Sequence, residues 1–113
     1  MKEFLLVFRR DAAKRMTDEQ LQQMMQPWKD WLDHLAAQGN LASSGSRLDW
    51  DGSVIYPDEV VTNGPYVETK EAIGGFSVVN ATDLQHATEL AKSCPILKVG
   101  GSVEVRPVKG PGL

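Results

Sequence analysis

An α+β sandwich, one antiparallel sheet carrying two helices on one face, is the fold class the sequence predicts. Three observations predict it. A short apolar run, Phe4-Leu5-Leu6-Val7-Phe8, opens the chain. Two capping signatures, Thr17-Asp18-Glu19-Gln20 and Thr82-Asp83-Leu84-Gln85, each introduce an apolar stripe at helical spacing. Each stripe is followed by a segment that reads as a strand.

The first run is too short for a helix and rich in strand formers. Phe4, Leu6 and Phe8 point to one face and Leu5 and Val7 to the other, so both faces are apolar and both need covering. Residues 9–16 form a polar connection. The first helix starts at the Thr17 cap, carries Leu21, Met24, Met25, Trp28, Leu32, Leu35 and Ala36 on its stripe, and ends at Gly39-Asn40. Pro27 interrupts it at a cost of about 3 kcal/mol, which predicts a kink or restart. The methionines and tryptophan of the stripe either pack the core or line a ligand cleft, and core packing is the expectation.

Residues 41–48 are a weak strand of small, polar residues, a composition that marks close approach of another backbone or a ligand. Residues 49–62, with turns at Asp49-Trp50-Asp51-Gly52 and Pro57-Asp58, read as a hairpin-like excursion at the sheet edge. Asn63 to Phe76, rich in glycine and charge, leads into a strand at residues 76–79. The second helix is expected to bury Leu84, Ala87, Leu90 and Ala91, and Cys94-Pro95 stops it. Residues 102–108 alternate as a last strand, and residues 109–113 read as a frayed tail. The order β-α-β-β-α-β with right-handed crossovers is that of a ferredoxin-like sandwich. Its uncovered face predicts two chains pairing sheet to sheet, a homodimer enclosing a cleft.

The totals bound the function. A chain of 113 residues is one domain, residues 1–113, with 42% hydrophobic and 24% charged residues, as in an ordinary globular protein. A net charge of −3 argues against nucleic acid as a partner. No apolar run approaches a bilayer span, and the opening run stops at Arg9-Arg10 without a cleavage site, so neither membrane nor export is expected. One cysteine excludes an intrachain disulfide framework and favours a cytoplasmic location. Cys94, His34 and His86 have no metal-ligand spacing, and no metal or cofactor is expected. His34 and His86 read as surface histidines, and Cys94 has no histidine near it in sequence to make it a nucleophile.

Asn63-Gly64-Pro65-Tyr66-Val67-Glu68-Thr69-Lys70-Glu71 followed by Gly74-Gly75-Phe76 resembles the DGPF motif and its continuation in the YCII-related family. The ending Gly101 to Val108 is similar to that family's C-terminal strand. The resemblance covers the full chain and is most specific after Asn63. It implies a dimeric α/β barrel. It also implies that some relatives are enzymes using a histidine on the first helix with an aspartate, and that DGPF-type members resemble proteins encoded beside extracytoplasmic-function sigma factors. Here Asn63 replaces the usual aspartate, Tyr66 replaces phenylalanine, and Trp28 occupies the position of the histidine. An indole N–H only donates, so the enzyme reading weakens.

The candidate substrate-binding residues are Tyr66, Glu68, Lys70, Gly75, Glu104 and Arg106. A desolvated Glu68 in a glycine-lined cleft can serve as a general base, or residues 68–71 are a solvated turn. Tyr66 either offers its hydroxyl to a ligand or caps the core. Glu104 and Arg106 share a face opposite Val103 and Val105, where they bind a carboxylate or carbonyl or form an ion pair at the dimer interface. Two functions therefore stand side by side. One is a dimer that binds a small polar molecule between subunits, with isomerase- or lyase-like acid–base chemistry left open. The other is a non-enzymatic accessory acting through a protein partner.

Overall fold

The computed structural model describes residues 1–11, 16–64 and 71–110. The main sheet contains β1 (Lys2–Asp11), β2 (Leu41–Arg47), β5 (Glu71–Ala81) and β6 (Ser102–Pro107) in the order β2-β5-β1-β6. All three pairings are antiparallel. Between β2 and β5 the chain makes a separate two-stranded sheet from β3 (Ser53–Ile55) and β4 (Val61–Asn63). Among the described residues there are two helices, α1 (Asp18–Ala37) and α2 (Leu84–Ala91), and a 3-10 turn at Pro95–Val99. This order of strands and helices is compatible with the ferredoxin-like expectation.

The core lies between the helices and one face of the sheet. Phe4, Leu6 and Phe8 of β1 are buried there with Trp31, Leu35, Val79, Ala87 and Ile96. Each fully buried large apolar side chain stabilises the fold by about 1.5–3 kcal/mol. Leu5 and Val7 lie on the opposite face, half-buried, as the alternation predicted.

The cap of α1 forms as read from the sequence. Thr17 Oγ1 accepts from the Gln20 amide at 3.1 Å, and Gln20 Oε1 accepts from the Thr17 amide at 2.9 Å. Pro27 does not break the helix, which runs unbroken from Asp18 to Ala37. Pro27 and Gln23, whose carbonyl loses its intrahelical donor, are both exposed, so this break in the ladder lies on the solvent side of the helix. Burial of Trp31 and Leu35 beyond the proline, with Trp28 and Leu32 packed beside them, outweighs the roughly 3 kcal/mol penalty. The predicted stripe needs correction in its detail. Trp31, absent from it, is 5% exposed, while Met25 is 68% exposed. Trp31 Nε1 donates to Ser93 Oγ at 3.0 Å and ties α1 to the segment after α2.

The second helix begins one residue later than expected. Asp83, rather than Thr82, is the cap and accepts from the His86 amide at 2.8 Å. His86 Nδ1 in turn accepts from the Thr82 amide at 3.1 Å, doing the work expected of Gln85. Leu84, expected on the buried stripe, is the first residue of the helix and is 49% exposed. The strand predicted at residues 76–79 is longer, reaching back through Gly74-Gly75 to Glu71. Opposite Phe8 and Arg9, Gly75 and Ile73 take the pairing positions, so Gly74 is the extra residue of a bulge. The excursion expected at residues 49–62 is a hairpin; it follows the edge strand β2 and has a sheet of its own.

Candidate functional site

A cleft of about 610 Å³ lies between the first half of α1 and the sheet. Its origin is a mismatch of side-chain volume. On the helix side the wall is Leu21, Met24, Trp28 and Leu32, all half-buried. On the sheet side the facing positions are Ser44, Gly45, Gly74, Gly75 and Ser77, too small to fill the space. Phe8 marks where the cleft gives way to the core. Its ring meets Trp28 edge-on at 4.9 Å, and Trp28 meets Trp31 edge-on at 5.7 Å.

The small residues of β2 serve the close approach of another backbone. Gly45 has φ +67°, and a Cβ there would overlap the carbonyl oxygen of Phe76. Two irregularities in the β2–β5 register, between Leu41 and Ser43 and between Ser43 and Ser46, take up the extra residues. Ser77 Oγ donates to the Ser44 carbonyl at 2.8 Å and closes the floor. A Cβ on Gly75 would lie 2.8 Å from the Ser46 carbonyl oxygen, so this glycine is required by the neighbouring strand.

Two guanidinium groups stand at one end of the cleft. Alternation along β1 puts Arg10 on the face of Phe8, and Arg47 pairs across from Gly75 on β2. Arg10 rests against Gly74, where an added Cβ would lie 3.3 Å from both Nε and Nη2, and its Cζ is 5.7 Å from the Trp50 ring centroid. Burial first, and the Arg47 charge second, push Arg10 below its ordinary pKa. A smaller recess of about 320 Å³, lined by Leu48, Asp49 and Trp50, shares Arg10 and Arg47 with the cleft. At the rim, Lys29 Nζ holds the Asp33 carboxylate at 2.6 Å, and that bond raises the Lys29 pKa.

On the other face of the sheet Glu104 and Arg106 share a side of β6 with Leu5 and Val7 of β1, as predicted. Arg9 joins them: Nη2 lies 2.9 Å from Glu104 Oε1, and Arg106 Nη1 lies 3.3 Å from Oε2. Hydrogen bonds from Arg9 and then Arg106 hold Glu104 below the usual carboxylate range. Burial pushes the Cys94 thiol up to about 12. His34 is exposed.

The structure therefore separates the predicted residues. Gly75 lies in the cleft floor, and Glu104 and Arg106 lie across the sheet from it. Tyr66, Glu68 and Lys70 lie outside the described residues, as do Leu113 and its two neighbours in the expected tail. Arg10, Arg47 and the first turns of α1 were missed as site residues. The signal for Arg10 was its even spacing from Phe8, and the methionine and tryptophan stripe was the signal for α1. Among the described residues no group of three or more side chains is arranged to hold a metal ion. Among them, too, no helix is long and apolar enough to cross a membrane.

A family model described as the YCII-related domain matches residues 3–110. No curated protein matches the chain.

Proposed function

The chain belongs to the YCII-related domain family, and on that footing we propose that it binds a small molecule in the cleft between α1 and the sheet. The observation that carries this reading is the cleft itself. Its volume, about 610 Å³, falls in the range of small-molecule sites, roughly 300–1,000 Å³. Its walls are apolar with charge at one end and at the rim, the usual makeup of such sites. Isomerase- or lyase-like chemistry has less support. Among the described residues the wall holds no histidine or cysteine, and its carboxylate, Asp33, is held by Lys29.

The binding unit in this proposal is a homodimer. Leu5, Val7, Phe76 and Val78 make a half-buried apolar stripe on the sheet face that no helix covers among the described residues, flanked by the Arg9–Glu104–Arg106 cluster. A second copy laid sheet to sheet removes that stripe from water and sets the two charged clusters around the interface.

A second reading, a non-enzymatic accessory acting through a protein partner, is favoured by one observation. The β3–β4 hairpin exposes Ile55 at 72%, Val60 at 51% and Val61 at 57%. Retention of a sigma factor by the chain, lost in Ile55→Ser, favours that reading.

The test of the cleft uses N-phenyl-1-naphthylamine, a neutral probe that fluoresces on entering apolar surroundings. Saturable binding of one probe per chain is expected, with loss in Met24→Trp, which fills the cleft. Absence of binding, or equal binding by the filled variant, overturns the proposal.

A further inference from the structure

The geometry points to the class of ligand: an organic oxyanion, a carboxylate or phosphate monoester on a compact apolar body, with its head on Arg10 and Arg47 and its body against Met24, Trp28 and Leu32. The inference rests on the cleft being a binding site and adds what that site selects.

Arg10 and Arg47 differ from the other described arginines, Arg9 and Arg106. Arg9 and Arg106 share the Glu104 carboxylate. Among the described residues, neither Arg10 nor Arg47 has a carboxylate partner. The two like charges stand close enough that Arg47 makes the charged form of Arg10 harder to hold. An oxyanion between them reverses that repulsion. The planar guanidinium offers paired N–H donors, which match a carboxylate or phosphate edge.

Arg10 is also held in place before any ligand arrives. Trp50 attracts it through the ring face, and the absence of a side chain at Gly74 lets it lie against the backbone of the bulge. A fixed donor loses less freedom on binding than a mobile one. The bulge in β5 thus has a use beyond register: it seats an arginine at the end of an apolar cleft. Lys29, the other cation on the cleft lining among the described residues, is already occupied by Asp33. The head of the ligand therefore goes to the arginine end, and the body runs along α1 toward Leu32.

The test is competition against N-phenyl-1-naphthylamine on the full chain. The competitors are 2-naphthoate, 2-naphthyl phosphate and the neutral 2-naphthalenemethanol. At least one anion is expected to displace the probe at a tenfold or more lower concentration than the alcohol. In Arg47→Met, an exposed position where folding is not at risk, that ratio falls severalfold. In Arg10→Met it falls to about one. Gly74→Ala, which crowds Arg10 without removing it, lowers the ratio in the same direction. If the probe binds but the anions are no better than the alcohol, or if the ratio survives in both arginine variants, the oxyanion inference is overturned and the cleft reading stands. If the probe does not bind at all, the cleft reading falls and this inference falls with it.

Discussion

Arg9 holds Glu104 with two guanidinium nitrogens, Nε at 3.3 Å and Nη2 at 2.9 Å from the same carboxylate oxygen, across the β1–β6 pair. Together with Arg106 it lowers the pKa of that carboxyl. A group whose folded pKa is depressed stabilises the fold above its unfolded pKa. The contribution is lost as pH falls through the folded value. Glu104→Gln is therefore expected to lower stability at neutral pH and to match the parent in strong acid, where both side chains are neutral. Urea denaturation at the two pH values checks this. A stability gap that persists in acid contradicts the assignment.

Val78 stands between Leu5 of β1 and Ser43 of β2 on the sheet face away from the helices. The proposed sheet-to-sheet pairing buries it against a second copy. Sedimentation at micromolar concentration is expected to show a dimer for the parent and a monomer for Val78→Arg. A monomeric parent contradicts the pairing.

Gly45 and Gly39 separate two costs of a side chain at positive φ. Both have left-handed backbone, +67° and +75°, yet a Cβ at Gly39 meets nothing within 4 Å while one at Gly45 overlaps the Phe76 carbonyl. Gly39→Ala is expected to destabilise by about 1–2 kcal/mol through the backbone alone. Gly45→Ala should cost more, because β2 must also move off β5. Equal losses in chemical denaturation would show that β2 does not approach β5 this closely.

Cys94 is 1% exposed, and its thiol is pushed up to about 12. Almost no thiolate exists at neutral pH, and access is closed as well. Labelling by an aromatic disulfide reagent is expected to proceed only at the rate of unfolding and to accelerate with urea. Rapid labelling in native buffer would place Cys94 at the surface.

Much of the fold was legible because local patterns and tertiary packing agree. The alternation of Phe4 to Phe8 placed both faces of β1, and the Thr17–Gln20 cap placed the start of α1. Where they disagree, packing decided. Pro27 argued for a kink or restart, and no restart occurs: the tryptophans and leucines around it bury enough surface to carry the helix through. Trp31 was passed over because the stripe was drawn through Trp28, and the two rings share the same cluster. The site was less legible. A glycine-rich stretch drew attention to residues 63–76, and Gly75 does line the cleft. The volume of that cleft, however, comes from small residues on β2 and β5 facing long ones on α1, a relation between elements far apart in sequence. Arg10 becomes a site residue only once β1 is extended past its apolar run and its face is known.

The methionines supply the most direct measurement. Met16, Met24 and Met25 line the cleft, whereas the fourth, Met1, lies near Asn40 at the other end of the chain's first crossover. With methyl-¹³C methionine, saturation with N-phenyl-1-naphthylamine is predicted to shift the methyl resonances of Met16, Met24 and Met25 and to leave Met1 in place. A spectrum in which the three stay still, or in which Met1 alone moves, would contradict the cleft between α1 and the sheet as the binding site.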